Sequence, residues 1–173
     1  MCLPYACCSV AQWADAAAHG RAYVKGSNLP TTGRIFAAVN LSFPSRGPTG
    51  PTSMLLRFNA EDHAIGPGAD DFFGYEVALA PGVASLGYHA HEYVALNHTV
   101  VGAAVVGKPL LFRVELEQSS TRLAFTFMIG GKVVASFVHE NARQIKAVSG
   151  GSVAVRGFQG LASFEGLEFG SVH

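Results

Sequence analysis

The most regular stretch of the chain runs from Leu110 to Glu117. Leu110, Phe112, Val114 and Leu116 fall on one face, and Arg113, Glu115 and Glu117 on the other, the period of a half-buried antiparallel strand. Leu123, Phe125, Phe127 and Ile129 repeat the period, and Gly130-Gly131 supplies a two-residue hairpin into a strand over Lys132 to Val138. Upstream, strands are predicted over Arg34 to Phe43, Ser53 to Asn59, Phe72 to Leu79, Val83 to His89 and Tyr93 to Val100. The first of these stops at the breakers Pro44, Gly47, Pro48, Gly50 and Pro51, and Pro81-Gly82 turns the chain between the third and fourth. Ser152 to Phe158 and Leu161 to Phe169 complete the set. In the last strand Ala162 and Phe164 share a phase that Leu167 and Phe169 break, so a bulge near Gly166 is expected to turn the latter two inward.

About eleven short strands, spaced roughly 8 to 12 residues apart without intervening helices, predict two packed antiparallel sheets. Before them, Ser9 can cap a short helix over Val10 to Ala18 that stops at His19-Gly20. The expected organisation is an N-terminal helical appendage over residues 1–19 and one β-sandwich domain over residues 20–173. One helical turn is further expected over Glu140 to Lys146.

Composition agrees with strands: 49% of residues are hydrophobic, 14% charged, and there are 20 glycines and 8 prolines. Lys plus Arg equals Asp plus Glu at 12 each, so no net field draws a polyanion, and nucleic acid is not an expected partner. Cys2, Cys7 and Cys8 precede the strands and match neither a disulfide framework nor paired zinc knuckles; ordinary thiols are the plainer reading. The N-terminus lacks a basic n-region, and Gln12, Trp13 and Asp15 interrupt any apolar h-region, so a signal peptide is poorly supported. No run reaches the ~18 to 20 apolar residues of a membrane span. The sequons Asn40-Leu41-Ser42 and Asn97-His98-Thr99 matter only if the chain enters a secretory pathway.

Three segments form an ordered set: Leu55-Leu56-Arg57-Phe58, Asp71-Phe72-Phe73-Gly74-Tyr75-Glu76-Val77-Ala78-Leu79, and Leu86-Gly87-Tyr88-His89-Ala90-His91-Glu92-Tyr93. With Phe127 to Val134 and Gly151 to Leu167 after them, the set resembles concanavalin A-like laminin-G/jelly-roll domains. It is similar in particular to the 3-keto-disaccharide hydrolase group and to modules appended to fructan-cleaving glycosidases. The likeness covers residues 20 to 170. Tyr88 stands where that group often has Arg, and Glu92-Tyr93 where Asn-Trp is common. The resemblance implies an all-β, two-sheet antiparallel jelly-roll sandwich whose face or rim loops bind glycans, in some members beside calcium.

Retaining glycosidases need two carboxylates about 5 to 5.5 Å apart. No E-x-[hydrophobic]-D-x-x-E run provides them, and Glu115 and Glu117 are expected to meet solvent. Sugar recognition combines an aromatic face with planar polar groups, for which Arg57, Tyr75, Tyr88, His89, His91 and Tyr93 are the candidates. For each, core packing or simple exposure is the plainer alternative. His89 and His91, two apart on a strand, would project to one side, as two metal ligands must, although a structural or sugar-contacting pair is the commoner meaning of that spacing. Asp70 and Asp71, in the acidic Gly/Pro loop Glu61 to Asp71, offer oxygens suited to calcium but lack EF-hand spacing.

The expected role is a non-catalytic carbohydrate-binding or adhesion-type module whose partner is a glycan or polysaccharide, at the cell surface or outside the cell. One alternative is a structural or interaction subunit that docks on a protein partner through residues 1–19. A weaker one is a carbohydrate-active hydrolase using His89, His91 and neighbouring acids.

Overall fold

A computed structural model describes residues 20–23, 29–30, 32–43, 52–59, 73–90, 93–102, 108–119, 121–140, 152–157 and 162–172. Among them are eleven strands: β1 (Gly20–Tyr23), β2 (Gly33–Ser42), β3 (Thr52–Asn59), β4 (Phe73–Ala80), β5 (Val83–Ala90), β6 (Tyr93–Val100), β7 (Leu110–Gln118), β8 (Leu123–Ile129), β9 (Lys132–His139), β10 (Ser152–Gly157) and β11 (Ser163–Ser171). The expected helices over Val10 to Ala18 and Glu140 to Lys146 lie outside the described residues, apart from Glu140, which sits in a turn.

The strands form a six-stranded sheet in the order β1-β10-β3-β4-β5-β6 and a five-stranded sheet in the order β11-β2-β7-β8-β9. Every pairing is antiparallel. Each sheet turns one set of alternating side chains inward. Met54, Leu56, Tyr75, Val77, Leu79, Leu86, Val153 and Val155 come from the larger sheet. Ile35, Val39, Leu41, Phe112, Val114, Leu116, Phe125, Phe127 and Phe164 come from the smaller. Phe127 meets the Phe112 and Phe137 rings edge to face at centroid distances of 6.2 and 5.0 Å, the geometry the ring quadrupole favours.

The glycine-dependent features behave as the pattern requires. Gly130 and Gly131 take φ of 55° and 79° in the β8–β9 turn, a region where a Cβ is strained. Gly166 takes φ of 62°, and the β11–β2 register shifts between Glu165 and Glu168. This bulge restores Leu167 to the core beside Phe164 and lets Phe169 pack against it.

One expectation on the opposite face needs correction. Glu115 does not simply meet solvent: its carboxylate accepts from Arg34 Nη2 at 2.7 Å and from Arg113 Nε and Nη2 at 3.0 and 2.9 Å. The Arg113 guanidinium in turn lies 4.0 Å over the Phe36 ring, so its stem and charge cover an aromatic group that points away from the core. Glu117 is exposed, as expected.

Candidate functional site

Because Tyr75, Val77 and Leu79 of β4 enter the core, Gly74, Glu76 and Ala78 must face out of the six-stranded sheet. Register then selects their companions. Gly74, Glu76 and Ala78 pair with His89, Gly87 and Ser85 of β5. Ala78 also pairs with Ser53 of β3, which pairs with Arg156 of β10. Four strands therefore place Ser53, Glu76, His89 and Arg156 on one outward face.

The four form a closed network around one carboxylate. Ser53 Oγ donates to Glu76 Oε1 at 2.7 Å, while Arg156 Nη1 and His89 Nε2 donate to Oε2 at 2.9 and 2.5 Å. Glu76, His89 and Arg156 are 6%, 0% and 2% exposed, so an unpaired charge here would cost several kcal/mol. Burial alone pushes the Glu76 carboxyl up. The hydrogen bond from His89, the charges of Arg156 and His89 and the bond from Ser53 together outweigh it and hold the group below its ordinary value. Glu76 is thus an ionised anchor, with three donors already on its two oxygens.

Tyr93 of β6 pairs with His89, and the two rings lie 5.1 Å apart. A Cβ added to Gly87 would fall 2.3 to 2.5 Å from Tyr93 Cε2, Cζ and Oη. The phenol therefore crosses directly over Gly87, a position only glycine leaves open. Its hydroxyl bonds the Ser85 side chain, and burial followed by the nearby Glu76 carboxylate raises its pKa, so it stays a neutral phenol. With its ring pinned at both ends, Tyr93 remains 42% exposed.

Strand alternation divides the residues expected to bind sugar. His89 and Tyr93 share the outward face, whereas Tyr75 and Tyr88 pair with each other on the inward one. There Tyr75 is buried, its hydroxyl bonds His139 Nδ1 of β9 at 3.0 Å, and the Tyr88 ring stacks on His139 at 9° and 6.0 Å. These three residues join the two sheets. Arg57 belongs to β3, in the stretch where the register to β4 shifts between Leu56 and Asn59. His91, Asp70 and Asp71 lie outside the described residues.

Sequence reasoning missed Ser53, Glu76 and Arg156. A signal was present: Glu76 is a lone charge within Gly74 to Leu79, and Arg156 another after Val153-Ala154-Val155. Single charges of opposite sign in otherwise apolar strands are expected to find one another.

The inward cluster carries a pH dependence. Burial lowers the pKa of His139 below 6.5, so the unfolded chain binds the proton more tightly than the folded one. The contribution of His139 to stability is complete above the ordinary histidine pKa and is lost as pH falls from there through the folded value. Urea midpoints measured at pH 7.5 and pH 5.5 should fall further in the wild type than in His139→Gln. Equal falls would show that the Tyr75–His139 contact does not report on protonation.

This arrangement of sheets is that of the concanavalin A-like jelly-roll sandwich shared by lectins and glucanases. No family model and no curated protein sequence matches the chain, but its fold recurs among solved structures. The carbohydrate-binding module CBM66 from Bacillus subtilis superposes with a TM-score of 0.65 at 10% identity, over 97% of this chain and 92% of that one. The lumenal domain of VIP36, solved with Ca2+ and Man3GlcNAc, gives 0.63 at 9% identity over 90% and 74%. Sheep galectin-11 gives 0.55 at 10% identity over 88% and 96%. Among the described residues no group of three or more His, Cys, Asp or Glu is placed to hold a metal ion. Nor is Glu76 suited to one, since an arginine, a histidine and a serine already occupy it. No helix among the described residues is long and apolar enough to cross a membrane.

Proposed function

We propose that the protein is a carbohydrate-binding domain that takes a glycan on the outward face of the six-stranded sheet, with the Tyr93 ring as its platform. The observation that carries this reading is the posture of that ring. It lies across Gly87, held by its backbone at one end and by Ser85 at the other, with its remaining surface open. A flat ring already fixed in place offers the apolar side of a sugar an aromatic face without an ordering cost on binding. The Glu76–His89–Arg156 network stiffens the floor beside it.

Binding, rather than hydrolysis, is the chemistry that suits these groups. Glu76 is the buried acid of this face among the described residues. A carboxylate held ionised by three donors is poorly placed to deliver a proton or attack an anomeric carbon. The lectin and carbohydrate-binding neighbours support the same reading.

A glycan array followed by calorimetric titration tests it. Tyr93→Ala should weaken binding roughly three- to tenfold, the worth of one aromatic contact. Gly87→Ala, which forces the ring off the sheet, should weaken it comparably. Absence of binding across a broad panel, or unchanged affinity in both variants, would overturn the proposal.

A further inference from the structure

The platform does not end at Tyr93. The β5–β6 register shifts between Leu86, which pairs with Asn97, and Gly87, which pairs with Ala95, leaving Leu96 as an extra residue. Leu96 packs against the core. Without this bulge Tyr93 and His98, five positions apart, would point to opposite faces; with it, His98 pairs with Ser85 and joins Tyr93 and Ala95 outside. Ser85 is also the group that the Tyr93 hydroxyl bonds, so the strand position opposite His98 is the one that holds the far end of the Tyr93 ring.

Resting on the carbohydrate-binding reading, we propose that the site extends along β6 to His98 and recognises a linear, neutral oligosaccharide rather than a single terminal sugar. Tyr93 and His98 pair with His89 and Ser85, four residues apart on β5, so their backbone positions stand about 13 Å apart at the rise of a strand, with the Tyr93 ring filling part of that interval. That exceeds one sugar ring and lies within a short oligosaccharide. Among the described residues, Gly87 and Ala95 are the register pair between Tyr93 and His98 on this face, and with no side chain larger than a methyl group they leave the Tyr93 ring, which lies over Gly87, as the surface a sugar chain meets. The exposed groups along this line, Tyr93, Ala95 and His98, bring no fixed charge, and the charged groups beneath them are buried and turned onto the Glu76 carboxylate. A uronate or sialylated chain would find no cation waiting among them.

The test is calorimetric titration with laminari-, cello-, manno- and fructo-oligosaccharides, each from monosaccharide to hexasaccharide, with oligogalacturonates as the charged arm. Affinity should rise with length up to about the trisaccharide and then level. His98→Ala, a surface change whose fold is checked by its urea midpoint, should lose roughly three- to tenfold on the longer ligands and nothing on the monosaccharide. Tyr93→Ala should weaken binding at every length. If monosaccharide and hexasaccharide bind alike, if His98→Ala matches the wild type throughout, or if oligogalacturonates bind tightest, the extension falls while Tyr93-dependent sugar binding stands. If no ligand of any length binds, both fall together.

Discussion

Arg156→Met should lower the unfolding free energy by about 3 to 5 kcal/mol, the usual consequence of leaving one member of a buried ion pair behind. Arg156 Nη1 sits 2.9 Å from Glu76 Oε2, and both side chains are nearly inaccessible, at 3% and 7% exposure. Removing the guanidinium leaves the carboxylate with His89 and Ser53 alone, inside a sheet face that water does not reach. The protein can respond by protonating Glu76, so the loss should shrink as pH falls below the ordinary carboxylate range. The sign follows from linkage: in the wild type the Glu76 pKa is lowered, so its contribution is complete above the unfolded value and disappears as pH drops through the folded one. Adding Glu76→Gln to Arg156→Met should restore part of the stability, because the stranded charge is gone, with a coupling of about 0.5 to 3 kcal/mol. Urea unfolding of the wild type, Arg156→Met, Glu76→Gln and the double variant at pH 7 and pH 4 measures each quantity. A wild-type midpoint in Arg156→Met would mean that the network contributes nothing.

Phe127→Ala should cost a similar amount for a different reason. Phe127 is 0% exposed and packs between Phe112 and Phe137, on β8, between β7 and β9. Truncation removes the transfer energy of the ring and leaves a cavity that neighbouring strands, locked by their ladders, cannot fill. The expected loss is about 3 to 5 kcal/mol, with no dependence on pH near neutrality. For a chain of this size that corresponds to a fall in melting temperature of roughly 6 to 20 °C. Val138→Ala, on the neighbouring β9 but 45% exposed, should stay within about 0.5 kcal/mol. Scanning calorimetry on both variants decides the matter, and equal losses would mean that the inward set has been misassigned.

Much of this architecture could be read from residue order. Tyr93–Val100 and Leu123–Ile129 begin and end where the alternation and its breakers place them, and most other strands differ by a residue at an end. The closing strand differs more, starting at Ser163 rather than Leu161 and running on to Ser171. The two out-of-phase residues Leu167 and Phe169 were enough to locate a bulge near Gly166. The bulge at Leu96 went unseen because β6 is an edge strand whose residues are mostly exposed, so no broken apolar phase marks it. His98 was consequently overlooked.

The candidate site was legible only in part. His89 and Tyr93 were recognised as chemically able, and the structure sets them side by side. Tyr75 and Tyr88 were grouped with them by residue type, yet Tyr75 stands next to Gly74, the register partner of His89, and Tyr88 next to His89 itself. One step along a strand reverses the face. That rule was available from the sequence, but it required knowing which face was the core for β4 and β5, whose apolar residues are too continuous to say.

What the residue order determined by itself is local and periodic: strands from the alternation, the hairpin from Gly130-Gly131, the bulge from a phase break, and a formal net charge of zero. Those features depend on interactions between near neighbours, which spacing records directly. What only the tertiary structure decided is the order of strands within each sheet. Glu76 and Arg156 stand 80 residues apart and meet because β10 lies beside β3, and β3 beside β4. Nothing in the local pattern of either strand encodes that adjacency, since any strand with an apolar face fits beside any other; packing of the whole core selects the arrangement, and the buried network follows from it.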